Sequence, residues 1–196
     1  MQLTRAQIQQ GYLIRGVKRH DISNLAEHHY LVAFTTWQLT LLVERAGGSI
    51  DKAKALEFAL IHDVGELLGG DIAMPYAKQN PKAREYAKAF EAENQKFLAD
   101  YFGESKEHFE ELSREILDAS SDESRIAKLA DYIEVTHYLV YVEHFSESDI
   151  ALIEGKIEKM LLEFSDQTGQ RALKEFFEEW KVQIRELAAS DIKEFL

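Results

Sequence analysis

The chain has 196 residues, 45% of them hydrophobic, with a formal net charge of −12 and no cysteine. That length suits one globular domain burying roughly 70% of its unfolded surface, and the lack of thiols excludes disulfides, thiolate metal sites and a cysteine nucleophile. The acidic balance argues against a nucleic-acid polymer or an anionic membrane surface as partner. No apolar run approaches the 18 or more residues of a membrane span, and Met1-Gln2-Leu3-Thr4-Arg5-Ala6 has no apolar core or cleavage site of a secretory signal, so a cytoplasmic location is expected.

Long stretches follow helical spacing and almost none alternates at period two, so an all-α domain is expected. A first helix is predicted over residues 4–13, followed by an irregular basic stretch from Arg15 to Asp21. A second begins at Asn24, which forms a capping-box pattern with Glu27, and ends at Gly47-Gly48. Glu27 reads equally as a cap and as a catalytic carboxylate. Leu25, His28, Val32 and Leu39 share one stripe, which turns His28 toward the core, whereas His29 falls on the neighbouring stripe with Ala33. The third helix is expected from near Asp51 to Gly69-Gly70, and residues 71–79, with Pro75, as a loop. Asn80-Pro81 reads as N-cap and first position of a helix to about Tyr101, whose Tyr86, Phe90 and Phe97 are assigned to the core. Helices from Lys106 to Ala119 and from Ser121 to about Phe145 follow, with Ser120 and Glu123 as a capping box and Asp131 inside the second of them. Two more, 147–166 and 168–194, close the bundle. The last carries Phe176, Trp180, Ile184 and Leu187 on a face assigned to the core or a dimer contact.

Leu60-Ile61-His62-Asp63-Val64-Gly65-Glu66, continued by Leu67-Leu68-Gly69-Gly70-Asp71, packs a histidine and three carboxylates into a short apolar run. Adjacent helical residues diverge by about 100° around the axis. His62 and Asp63 can therefore serve one point only if it lies between their directions, as an ion among packed helices does. Imidazole nitrogen and carboxylate oxygen together suit divalent first-row metals. Glu66, four residues on, stacks on the His62 face. The alternative is a core histidine beside a surface carboxylate. Asp131, inside Ile126-Ala127-Lys128-Leu129-Ala130-Asp131-Tyr132-Ile133, needs a partner if buried: a metal ion, or a lysine or arginine.

Asn24-Leu25-Ala26-Glu27-His28, His62-Asp63-Val64-Gly65-Glu66, Gly70-Asp71, Pro75, Glu91 and Ala130-Asp131 together resemble the HD superfamily of metal-dependent phosphohydrolases, with its pattern H…HD…D. The likeness is closer to the bacterial HD-domain 5'-deoxynucleotidases and runs from about Arg15 to about Glu143. It implies a single HD-type helical bundle over residues 1–196, with a divalent metal between helices held by His28, His62, Asp63 and Asp131. The ion is one of Co, Mn, Mg, Fe or Zn. The resemblance further implies hydrolysis of (deoxy)nucleoside 5'-monophosphates, Glu66 and Asp71 as catalytic carboxylates, and a homodimer. Two alternatives stand beside this: a hydrolase of a nucleoside triphosphate or phosphodiester, and a non-catalytic metal-binding regulatory domain. The family's Arg-Trp pair upstream of the first histidine has no counterpart in Gln10-Gly11-Tyr12, and Ile72-Ala73-Met74-Pro75 departs from its Pro-Thr-Pro loop. Arg15, Arg19 and Lys78 are therefore the candidates for binding substrate phosphate.

Overall fold

In the computed structural model the described residues are 1–70 and 72–190, with Met74 described by its backbone alone. Among them eight α-helices form: α1 Leu25–Arg45, α2 Lys52–Ile61, α3 Met74–Gln79, α4 Pro81–Ala99, α5 Lys106–Asp118, α6 Asp122–Tyr141, α7 Glu147–Leu162 and α8 Gln167–Ala189. Among the described residues there is no strand, only an isolated bridge between Ile8 and Asn24, so the all-α expectation holds. None of these helices is long and apolar enough to cross a membrane.

Helix starts follow local chemistry. Asn24 Oδ1 accepts the backbone N–H groups of Ala26 (3.0 Å) and Glu27 (3.1 Å), and Glu27 Oε2 accepts that of Asn24 at 3.2 Å. This is a full capping box, and it gives Glu27 a structural task. Asn80 likewise accepts from Ala83 N–H ahead of Pro81. The cap of α6 lies one residue later than expected: Ser121, not Ser120, pairs with Ser124, while Glu123 Oε1 accepts the Asp51 N–H.

α6 is the central helix. Its buried Ile126, Leu129, Ala130 and Ile133 pack with Val32 and Leu39 of α1, Phe58 of α2, Ile116 of α5, Ile153 of α7 and Trp180 and Ile184 of α8. The apolar face of α8 is thus core, with Phe176 at its edge; the expected extension to residue 194 runs outside the described residues. A second cluster, Leu25, Val64, Leu67, Leu98 and Phe109, fastens the turn after α2 to α4 and α5.

Other expectations fail as well. Residues 4–13 form no α-helix. Two 3₁₀ stretches, Gln2–Arg5 and Gln10–Arg15, flank a segment whose backbone bonds to the start of α1 instead, with Gln9 N–H on Ser23 O (3.0 Å) and Leu25 N–H on Gln7 O (2.9 Å). Tertiary partners here outbid helix propensity. The segment expected as a loop contains α3, which the Pro75 ring at its first turn tolerates. Tyr86, Phe90 and Phe97 are 62%, 53% and 53% exposed rather than core, because α4 lies at the periphery and turns Asn94, Gln95, Leu98 and Ala99 inward.

Candidate metal centre

α2 stops at Ile61, before the His-Asp pair. His62 is the first residue past the helix, and Val64–Leu68 continues as a 3₁₀ turn. The last carbonyls of a helix lack intrahelical partners. The His62 side chain takes one of them: its Nδ1 donates to Ala59 O at 2.8 Å. Nε2 is therefore left as a lone pair. His28, fully buried on α1, is fixed the same way, its Nδ1 donating to Glu134 Oε2 of α6 at 2.6 Å. The two Nε2 atoms then face one another at 3.0 Å. Two lone pairs that close repel unless a proton or a metal ion lies between them.

The carboxylates complete the group. Asp63 Oδ2 is 3.4 Å from His28 Nε2 and 3.3 Å from His62 Nε2, and Asp131 Oδ1 is 3.4 Å and 4.0 Å from the same two atoms. One ligand atom from each of the four residues lies within 4.8 Å of the others. Metal–ligand bonds of about 2.0–2.2 Å set neighbouring donors roughly 3–3.6 Å apart, so the donor set fits a single divalent ion. His28, His62, Asp63 and Asp131 can hold a metal, as the sequence pattern suggested.

The electrostatics point the same way. Burial works against charge on His28, but Asp131, Asp63 and Glu134 outweigh it and hold its pKa well above the ordinary histidine value. Asp63 and Asp131 are half-buried, which alone would raise them, yet the neighbouring histidines keep both carboxyls below the usual range. The centre is built for positive charge. His29 goes the other way: burial, then the charges of His62 and His28, push it down to about 3. It stays neutral beside the ligand set, outside the metal-holding group.

Asp63 and Asp131 of the group line a cavity of about 700 Å³, together with Glu66, Glu91 and Lys128, while His28 and His62 lie buried behind them. Glu66 arrives there for a different reason from the one expected. In a 3₁₀ turn residues three apart eclipse, and Glu66 N–H bonds Asp63 O at 2.9 Å, so Glu66 shares the face of Asp63 rather than that of His62. Glu91 of α4 comes close because residue 65 is glycine. A Cβ at Gly65 would lie 2.6 Å from Glu91 Cγ and 2.9 Å from its carbonyl oxygen, and Asn94 Nδ2 donates to Gly65 O at 2.8 Å. Burial, with the Asp63 charge adding to it against Lys128, pushes Glu91 up to about 7.

The phosphate-binding candidates divide. Lys78 lines the cavity. Arg15 lines it as well, but its guanidinium is ion-paired to the buried Asp149 of α7. Arg19 is exposed and lies away from the cavity lining, because residues 19–21 form a 3₁₀ turn of their own. Asp71 lies outside the described residues. Sequence reasoning missed Glu134, the partner of His28. It also missed Arg84, Lys88, Lys128 and Lys156, which bring α4, α6 and α7 to the cavity. Position offered a signal for two of them: Lys128 and Glu134 each sit three residues from Asp131 on α6, one face of a helix.

Comparison with known proteins agrees with this geometry. The family profile described as YfbR-like 5'-deoxynucleotidase matches residues 14–180. A 5'-deoxynucleotidase of Vibrio vulnificus is 33% identical over 162 residues, 80% of this chain and 79% of that protein. One of Photorhabdus laumondii is 30% identical over 183 residues, 90% and 88% of the two chains. Among solved structures, a conserved hypothetical protein from Pyrococcus furiosus superposes with a TM-score of 0.69 at 26% identity, covering 94% of this chain and 95% of its own. A Pyrococcus horikoshii protein shares the fold at a TM-score of 0.65 and 23% identity, over 96% and 94%. Profile, relatives and site converge: the chain belongs to the YfbR-like 5'-deoxynucleotidase family.

Proposed function

We propose that the protein is a metal-dependent phosphomonoesterase that hydrolyses nucleoside 5'-monophosphates, in their 2'-deoxy forms, to nucleoside and phosphate. The observation that carries this is the convergence of His28, His62, Asp63 and Asp131, whose two carboxylates line a cavity of about 700 Å³, within the usual range for small-ligand sites. The name of these relatives, 5'-deoxynucleotidase, suggests the substrate class. Charge supports it: on a chain of net −12, the described cavity lining carries as many lysines and arginines as carboxylates, and a divalent ion turns it positive.

Phosphate monoester hydrolysis is among the slowest reactions in water. A divalent ion held by the four donors supplies Lewis acidity, polarising the phosphoryl group and making water more acidic. The chain's own residues do the rest. Glu66, beside Asp63 on the same face, accepts a proton from the attacking water. Asp71, outside the described residues, keeps the role of second catalytic carboxylate that the family resemblance implies. Lys78 attracts the anionic group at the rim. Arg15 lines the cavity too, its guanidinium held by Asp149, with further N–H donors left for phosphate. Tyr12, its ring tilted against that of Tyr138 at 4.7 Å between centroids, and Leu139 offer the sugar and base an apolar wall.

The same reading takes residues 1–196 as one HD-type domain of a cytoplasmic homodimer, with the exposed Tyr30, Phe34 and Trp37 of α1 as a self-contact face; a monomer mass by light scattering would remove the dimer. Phosphate release from mono-, di- and triphosphates with Mn, Co, Mg, Fe and Zn tests the function. Release from deoxynucleoside monophosphates with at least one of these ions is expected. Turnover confined to triphosphates or phosphodiesters would give the site to another HD hydrolase, and none with any ester would favour a non-catalytic metal-binding domain.

A further inference from the structure

Lys128 is a charged group at the cavity floor for which the reaction above has no task. It lies on α6 one turn before Asp131 and is partly buried. Asp63, Asp131 and Glu91 surround it. Burial alone would lower its pKa, yet these three carboxylates raise it above the ordinary lysine value, so it stays an ammonium. Among the described residues, however, no acceptor hydrogen-bonds it and no carboxylate oxygen comes within 4.0 Å. An ammonium carries three donors. Lys128 lines the cavity together with Asp63 and Asp131 of the metal-holding group. The other cations of the lining are placed differently. Arg15 is ion-paired to Asp149, Lys156 lies over the Tyr132 ring at 5.4 Å, and Lys78, Arg84 and Lys88 are exposed at the rim.

Phosphoryl transfer needs donors aimed at the non-bridging oxygens, where charge changes in the transition state. Resting on the reading of the site as a phosphomonoesterase, we propose that Lys128 is a catalytic residue that donates to a non-bridging oxygen of the substrate phosphoryl group beside the metal centre. No proton is transferred: the ammonium keeps its charge, and water and the other carboxylates carry the proton traffic.

A purely structural role is the rival. Lys128 would then only offset repulsion among Asp63, Asp131 and Glu91. The two roles separate in Lys128→Met, which keeps the length of the side chain and removes the charge. Inorganic phosphate is titrated calorimetrically into the metal-loaded wild type and variants, with metal affinity and far-ultraviolet circular dichroism measured alongside. A phosphate contact predicts affinity weaker by about 10–100-fold in Lys128→Met, partial recovery in Lys128→Arg, and kcat for the nucleotide down by roughly 10²–10³. A structural role predicts phosphate affinity within twofold of wild type, with only metal affinity altered, and that result overturns the proposal. Should Lys128→Met not fold, the wild type decides: the Lys128 Nζ resonance, in ¹⁵N-lysine-labelled metal-loaded protein, should move on titration with inorganic phosphate, and a resonance unmoved at saturation rejects the contact. If the wild type binds phosphate in a Lys128-dependent way yet hydrolyses no nucleoside monophosphate, the substrate reading fails and the contact stands.

Discussion

At the scale of single residues, the centre is held by what lies behind its ligands. His28 and His62 point their Nε2 atoms inward because Glu134 and the Ala59 carbonyl occupy their Nδ1 atoms. Glu134→Gln weakens that hold without emptying space. Metal affinity should fall by about 10–100-fold, as for other partners of metal histidines, and a competition titration with a fluorescent chelator measures it. Glu66 separates from the ligands in kinetics. Glu66→Gln should lower kcat by roughly 10²–10⁴, the range of a general base, with metal content and KM nearly unchanged; steady-state rates with elemental analysis of the same sample check both. The four candidate ligands were legible through the H…HD…D resemblance, and the structure brings them together. Glu134 was harder to see: its partner is 106 positions away, and only its place three residues after Asp131 on α6 sets it apart from a solvated helix carboxylate.

At the scale of elements, the turn after α2 sets the site. Helical spacing read His62, Asp63 and Glu66 as one helix, and that reading misplaced the break while keeping the residues. The break is tertiary in origin. Gly65 and Gly69 let α4 approach so closely that a Cβ at either would meet Glu91 or Phe90. No periodicity in the turn itself reports on a partner helix 26 residues downstream. Gly65→Ala places its methyl against the Glu91 carbonyl, which cannot rotate away as a side chain end can. Unfolding free energy should drop by about 1–3 kcal/mol, typical of overpacking. Urea titration measures the loss, and a value within 0.5 kcal/mol of wild type, the range of ordinary surface substitutions, would show that α4 gives way easily. The N-terminal segment was misread for a related reason: its backbone bonds to Ser23 and to α1, partners that spacing alone does not reveal.

At the scale of the whole molecule, most of the bundle was legible because α1, α6 and α8 carry long apolar stripes that pack on one core. The cavity was less so, since Arg84, Lys88, Lys128 and Lys156 come from three helices and look like ordinary charged faces in each. The cavity also links stability to pH. Glu91 is raised from the ordinary carboxylate value near 4.5 to about 7 by burial and by Asp63, so between those values the folded metal-free protein holds a proton that the unfolded chain has released. Its contribution is complete below about pH 4.5 and is lost as pH rises toward 7. Glu91→Gln, which mimics the protonated form, should therefore gain stability relative to wild type from pH 5 to pH 7.5. Denaturation of both metal-free proteins at the two pH values reads the difference, and a gap that does not change with pH contradicts the assignment.

The central claim is that four donors from α1, the end of α2 and α6 hold the divalent ion on which hydrolysis depends. The most direct test measures bound metal per chain and phosphate release from a deoxynucleoside 5'-monophosphate, on the same preparations of wild type and Asp131→Ala. The wild type should carry close to one ion and turn over, and Asp131→Ala should lose most of both. Full metal occupancy with undiminished phosphate release in Asp131→Ala would contradict the account.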